Sequence, residues 1–193
     1  MAQNAGWGDT PFDSVLTAAQ ADAGWAYTRL YRDLSSQVFG YFKLQGCPPG
    51  DAEDLTSEVF LSAFSGIRNF RGGQAQFRSW VFTIAHRRLA DQRRRWGRRP
   101  VVDGGWDDMA TVAAGRIGVE DDALAHLGEE RVRALCATLS ADQRDVLLLR
   151  LVSALTVEEV AAVVDKTEGA VKALQRRGLS AIRRILERQG VPL

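Results

Sequence analysis

The strongest structural signal in this sequence lies between Thr156 and Leu186, which read TVEEVAAVVDKTEGAVKALQRRGLSAIRRIL. Thr156 and Glu159 have capping-box spacing, and a short apolar helix to about Val164 follows them. After a tight turn, Thr167 can cap a long basic helix. A small apolar helix, a short turn and a second helix with exposed polar side chains together predict a helix-turn-helix.

The second helix of this motif carries the candidate DNA-reading side chains. Its apolar face includes Val171 and Leu174, and polar residues project from its N-terminal half on the other side. A recognition helix reads base edges in the major groove with that half, while further arginines neutralise phosphates. An ordinary helical hairpin with a solvated face is the alternative. The candidate residues are Thr167, Glu168, Lys172, Gln175, Arg176 and Arg177.

Helical periodicity also occurs before residue 97 and again just before the helix-turn-helix. Apolar residues recur every four positions from Ala26 to Phe42, and CPPG at 47–50 interrupts the pattern. Further helices are predicted from Asp51 to near Gly66 and from about Ala75 into the arginines at 93–95. Ser140 and Gln143 form a second capping-box pattern before an apolar run. Since no strand alternation occurs, the sequence predicts an all-α fold with two small helical domains.

Charge is segregated along the chain although the net charge is only +1. Residues 61–100 contain ten basic residues and one acidic residue, whereas residues 101–130 contain one and eight. Residues 166–193 are basic again, with seven against two. The acidic middle contains proline and several glycines without an apolar period, which predicts a linker with little regular structure. Two basic blocks suggest two nucleic-acid surfaces.

The first basic block follows a group of aromatic residues. Interleaved cations and rings can bind unpaired strands, with the cations following the phosphates. Phe77 and Trp80 are predicted to belong to the core instead. The polar, glycine-hinged loop at 69–76 is therefore the better candidate for contacting an extruded base.

Catalytic and cofactor motifs are not found in the sequence. It has no P-loop, GxGxxG, GxSxG or HExxH pattern, and its two histidines, His86 and His126, fall in different predicted domains. Cys47 and Cys136 lack metal-ligand spacing and are predicted to be buried or half-buried thiols. No targeting or membrane-spanning stretch is apparent. We therefore expect a cytoplasmic protein that is not an enzyme and needs no cofactor or metal.

Two blocks of this sequence resemble the group 4, or extracytoplasmic-function, sigma factors of bacterial RNA polymerase. Residues 51–64 (DAEDLTSEVFLSAF) and 77–95 (FRSWVFTIAHRRLADQRRR) are similar to sigma region 2, and residues 139–186 are similar to region 4. The resemblance implies a region 2 domain at 21–97, an acidic flexible linker at 98–119 and a region 4 domain at 120–193. No role is predicted for residues 1–20.

The resemblance also implies partners and site residues. Asp54, Glu58 and Leu61 would dock on the clamp of the largest subunit of core RNA polymerase, and region 4 would contact its flap. Region 4 would read the −35 promoter element as duplex, and region 2 would capture the melted −10 element as single strands. An anti-sigma factor is a potential further partner, and no membrane is involved. The candidate −10 residues are Asn69, Phe70, Arg71, Gln76, Arg87, Arg88, Asp91, Arg94 and Arg95.

Two departures from the family pattern carry expectations. Arg87 stands where members often have asparagine, which implies a different base preference at −10. Gly178 interrupts a stretch that is usually richer in arginine or alanine. Because glycine costs a helix about 1 kcal/mol relative to alanine, it predicts a bend or close packing.

Two other functions compete with the sigma factor. A sigma mimic that sequesters an anti-sigma factor would not need to retain both basic blocks. A plain helix-turn-helix regulator would leave the patterns at 51–64 and 77–95 unexplained. The sigma factor accounts for all of these features.

Overall fold

A computed structural model describes residues 10–96, 128 and 130–189 of the 193-residue chain. These residues contain helices and no strand, so the all-α prediction is confirmed. The predicted linker at 98–119 lies outside the described residues. The helices are α1 (Phe12–Gln20), α2 (Gly24–Leu44), α3 (Pro49–Gly66), α4 (Gln74–Trp96), α5 (described over 130–137), α6 (Ala141–Leu151), α7 (Val157–Val164) and α8 (Glu168–Arg188).

Local capping interactions fix the helix starts in the C-terminal half. Thr156 Oγ1 accepts from the Glu159 amide at 3.1 Å, and the Glu159 carboxylate accepts from the Thr156 amide at 2.7 Å. Ser140 and Gln143 form the same reciprocal pair at the start of α6. Both predicted capping boxes are therefore confirmed, and each satisfies amide donors that a helix start leaves unpaired.

The N-terminal helices form the first domain, α1–α4, around a core of large side chains. The apolar residues predicted at every fourth position of α2, from Ala26 to Phe42, are all buried. Phe77 and Phe82 of α4 are also fully buried. Helix α1 also contributes buried residues to this core. The centroid of the Phe12 ring lies 5.7 Å from that of the Phe77 ring. Part of the segment without a predicted role is thus part of this core.

The second domain, α5–α8, has a smaller, mostly aliphatic core. Val146, Leu149, Val160 and Val171 are buried where α6 and α7 pack on α8. Gly178 is buried against α6, and a Cβ at this position would lie 2.7 Å from Leu147 Cδ1. The glycine therefore permits the two helices to approach, and the prediction of close packing there is confirmed.

The two domains touch each other. Helix α4 contacts α7, and α2 contacts α6, so buried side chains of both domains join one continuous cluster. Over the described ranges, no helix is long and apolar enough to span a bilayer.

Candidate nucleic-acid and polymerase interfaces

The exposed side of α8 forms the candidate −35 surface. Thr167, Glu168, Lys172 and Arg176 are exposed and Gln175 is half-buried. A shallow groove follows this side of the helix, with spacings of three and four residues that keep its members on one face. Its lining residues are Lys172, Gln175, Arg176, Leu179, Ser180 and Arg183.

Contacts within the helix start modify this surface. The ammonium of Lys172 lies 3.1 Å from the Glu168 carboxylate, so these two candidate side chains partly neutralise each other. The hydroxyl oxygen of Thr167 accepts from the Ala170 amide at 3.2 Å, and it therefore caps α8. Arg177 is exposed but lies about 100° around the helix from Arg176, because successive residues turn by that angle. Arg177 thus falls outside the groove.

The candidate −10 residues of α4 lie on its solvent side. Arg87, Arg94 and Arg95 are exposed, and Asp91 accepts a hydrogen bond from Arg94. Arg87 has no carboxylate within ion-pair distance among the described residues. With no carboxylate partner in the described part of the chain, the charge of Arg87 is available to phosphates, whereas Asp91 reduces the charge at Arg94.

Arg88 connects the candidate −10 surface to the candidate polymerase surface. Its guanidinium lies 3.4 Å from the Glu58 carboxylate and donates to the Ser62 hydroxyl at 2.8 Å. Both ends of the ion pair are more than a third exposed, so its net contribution to stability is small. Two residues predicted for different partners therefore face each other.

The loop before α4 uses several of its candidate side chains internally. Phe70 stacks on Trp80 at 5.1 Å between ring centroids and meets Phe77 edge-on at 5.4 Å. The Arg71 guanidinium donates to the Arg68 and Phe70 carbonyls at 2.9 and 2.7 Å. These contacts shape the loop, so they compete with contacts to a base.

Two further loop candidates, Gln76 and Asn69, are exposed. Gln76 Oε1 accepts from the Gly73 amide at 3.0 Å. Gly72 has φ +145°, and a Cβ there would lie 2.9 Å from Gln76 Cβ, so glycine is required. Asn69 is exposed. Asn69 is therefore the loop candidate best placed to reach a nucleic acid.

The candidate polymerase surface lies on α3. Asp54 is exposed, and Leu61 is 68% exposed, which is the pattern of an acidic face with one apolar contact. A groove of about 240 Å³ separates α3 from the end of α4. It is lined by Asp51, Asp54, Leu55, Glu58, Gln92, Arg95 and Trp96.

Burial shifts the pKa of four side chains towards their neutral forms. Burial lowers the pKa of His86, whose Nδ1 lies 3.1 Å from the Tyr41 hydroxyl. Burial raises the pKa of Tyr41, and raises that of the Cys47 thiol to about 11. The pKa of the Cys136 thiol is also raised by burial. Both thiols are buried, as predicted, and remain protonated at neutral pH.

Sequence reasoning missed two groups of residues around these surfaces. The Gln20 amide of α1 donates to the carbonyls of Ile67 and Phe70 at 3.1 and 3.0 Å, and so braces the loop. Arg93 is bonded to Gln45 of its own domain and, across the domain boundary, to Asp145. The signal for Arg93 was its helical phase, since it follows the buried Leu89 by four residues.

An all-α chain with a capped helix-turn-helix and a basic α4 defines a class of DNA-binding proteins. The family models described as Sigma-70 region 2 and Sigma-70, region 4 match residues 26–99 and 135–184. This chain belongs to the ECF family of RNA polymerase sigma factors. Members of this family are transcription factors and not enzymes.

Individual relatives support this assignment. ECF RNA polymerase sigma factor BldN of Streptomyces coelicolor is 33% identical over 172 residues, covering 89% of this chain and 64% of the relative. ShbA of Streptomyces griseus is 32% identical over 146 residues, covering 72% and 75%. SigD of Mycobacterium tuberculosis is 31% identical over 143 residues, covering 68% and 61%. The chain thus spans less than two thirds of BldN and SigD.

The fold is also similar to a solved structure. CnrH in complex with the cytosolic domain of CnrY matches with a TM-score of 0.67 at 20% identity. The match covers 91% of this chain and 97% of CnrH. At this identity the likeness concerns the fold.

Proposed function

We propose that this chain binds core RNA polymerase and directs it to promoters, reading a −35 element as duplex and capturing a melted −10 element. The observation that carries the proposal is the exposed polar face of α8, which follows a capped helix-turn-helix and includes Lys172, Gln175 and Arg176. Such a face fits a major groove. The basic solvent side of α4 provides a second nucleic-acid surface in the same chain.

Polymerase docking is assigned to α3 in this proposal. Asp54, Glu58 and Leu61 recur at spacings of four and three residues, which places them on one side of the helix. An acidic face with an exposed leucine fits a basic partner surface that has an apolar pocket. Promoter capture on α4 would then lie next to the docked polymerase, since Glu58 and Arg88 are already in contact.

Run-off transcription with purified core polymerase and pooled genomic promoter fragments tests the proposal. We expect new specific transcripts in the presence of the protein, and shared upstream sequences among them. Absence of both transcripts and polymerase binding would refute the proposal. That result would favour the alternative function, a sigma mimic that only sequesters an anti-sigma factor.

A pair of α3 variants tests the docking surface separately. Glu58→Gln should lower affinity for core polymerase by about 0.5–1 kcal/mol, because it removes one rim charge. Glu53→Gln is the matched control, since Glu53 is exposed about 100° around α3 from Asp54. Equal affinities of the two variants in fluorescence-anisotropy titrations would place docking elsewhere.

A further inference from the structure

The two domains meet at a largely buried polar cluster, which we call the latch and define as Gln45, Arg93 and Asp145. Asp145 of α6 is 7% exposed and accepts from the Gln45 amide at 2.7 Å. The Arg93 guanidinium of α4 donates to the Asp145 carboxylate at 3.3 Å and to Gln45 Oε1 at 2.6 Å. Each of the three side chains is therefore bonded to both others.

The latch joins the two domains because its hydrogen bonds connect side chains from both of them. Gln45 and Arg93 come from the first domain, whereas Asp145 comes from the second. Arg144 adds a longer contact, since it donates to the Gln45 carbonyl at 3.4 Å. Burying a charge is costly unless the charge is paired and hydrogen-bonded. While the interface is closed, the Asp145 carboxylate therefore depends on its partners in the first domain, Gln45 and Arg93.

Arg93 differs from its neighbours in the basic block. Arg94 and Arg95 are exposed on the solvent side of α4, whereas Arg93 points into the domain boundary. The charge of Arg93 is neutralised by Asp145 and is thus withheld from DNA. The basic block is therefore divided between a nucleic-acid face and an interdomain contact.

The closed arrangement is too short for simultaneous contact with both promoter elements. Positions −35 and −10 are 25 base pairs apart, which is roughly 85 Å of duplex. In this structure α4 contacts α7 and α7 contacts α8. Two successive helix contacts of 8–10 Å separate the candidate −10 and −35 helices by only about 20 Å.

The covalent chain allows the domains to separate. The 33 residues between Trp96 and Glu130 have a maximum reach of roughly 110 Å, which exceeds the spacing of the two elements. We propose that Gln45, Arg93 and Asp145 latch the two domains in a closed state that must open before both elements are bound. This inference rests on the proposed promoter function.

Removing one member of the latch should promote opening. Asp145→Asn leaves Arg93 in the interface without its counter-charge, and separation of the domains returns the guanidinium to water. Asp142→Asn is the matched control because it removes a carboxylate from the same helix. Asp142 pairs with Lys166 within the second domain, 3.2 Å away.

Small-angle X-ray scattering of the full chain tests the latch without polymerase. We expect a larger radius of gyration for Asp145→Asn than for the wild type and Asp142→Asn. The exchanged pair Arg93→Asp with Asp145→Arg should return the radius towards the wild-type value. Circular dichroism and thermal unfolding establish that each domain remains folded. Equal radii for folded Asp145→Asn and Asp142→Asn would refute the latch.

Promoter binding provides a second readout that a purely structural role would not produce. With core polymerase present, Asp145→Asn should bind a promoter fragment roughly tenfold more tightly than Asp142→Asn, because less free energy is spent on opening. Weaker or unchanged binding of a folded Asp145→Asn would overturn the proposal. If the wild type does not bind polymerase at all, the proposed function fails, while the scattering comparison still decides the latch.

Discussion

The two domains differ in how their candidate DNA-binding side chains are held. In the second domain most candidates lie along an exposed face of one helix, and their only mutual ion pair joins Glu168 to Lys172 within the described residues. In the first domain Phe70, Arg71 and Arg88 are engaged by neighbours in the fold. A helix face can present side chains directly, whereas a loop must use part of its own side chains to keep its shape.

The largest expected effect tests whether Phe70 holds the loop. Phe70→Ala should lower the free energy of unfolding by about 2–4 kcal/mol, because the ring is stacked on Trp80 and packed on Phe77. Asn69→Ala, at an exposed neighbour, should change it by less than about 0.5 kcal/mol. Chemical denaturation measures both. A stable Phe70→Ala variant that has lost single-strand binding would show that Phe70 contacts a base instead.

The second test concerns which arginine of α8 reads DNA. Arg176→Ala should weaken binding to a −35 duplex by about 1–3 kcal/mol if the side chain reads a base. Arg177→Ala should cost less and act equally on all sequences, since Arg177 lies outside the groove. Titrations with specific and scrambled duplexes at two salt concentrations separate the two roles. A uniform loss for Arg176→Ala would make it a phosphate contact.

The third test concerns the packing of α8 against α6 in the second domain. Gly178→Ala should destabilise the protein by about 1–2 kcal/mol, because overpacking against Leu147 outweighs the gain in helix propensity. Gly169→Ala is the control, because among the described residues its Cβ would meet only Thr167 Oγ1, at 4.0 Å. Thermal unfolding should show a lower melting temperature for the first variant alone. A stabilised Gly178→Ala would mean that α6 moves away without cost.

The smallest expected effect is a pH dependence in the first domain. Burial lowers the pKa of folded His86 below its ordinary value of 6.5, with Asp145 and Asp142 opposing and Arg93 adding to the shift. The unfolded chain therefore binds the proton more readily. The contribution is fully present above pH 6.5 and is lost as the pH falls through the folded pKa. Unfolding free energies between pH 5 and 8 should depend less on pH in His86→Gln.

The second domain was more predictable from sequence than the first. The capping boxes at Ser140 and Thr156 and the turn at Asp165 involve residues a few positions apart, so their chemistry is visible in the sequence. Asp165 adopts φ 52°, a left-handed conformation that ends α7. Helix boundaries in the first domain were also close, with α3 beginning at Pro49 and α4 at Gln74.

The candidate sites were less predictable because their contacts join distant residues. Arg93 and Arg94 are adjacent and chemically identical, yet one bonds to Asp145, 52 residues away, and the other is exposed. Gln20 reaches the Phe70 carbonyl across 50 residues. No local pattern distinguishes a phosphate-binding arginine from one that pairs across a domain boundary.

The sequence by itself determined the helical fold, the helix-turn-helix and the family, because these depend on caps, periodicity and motifs within short windows. Only the tertiary structure decided which charged side chains remain available to DNA. That outcome depends on the partners brought near each side chain by folding, as Asp145 is brought to Arg93 and Glu58 to Arg88. The free energy of a charge is set by its surroundings, and those exist only in the packed chain.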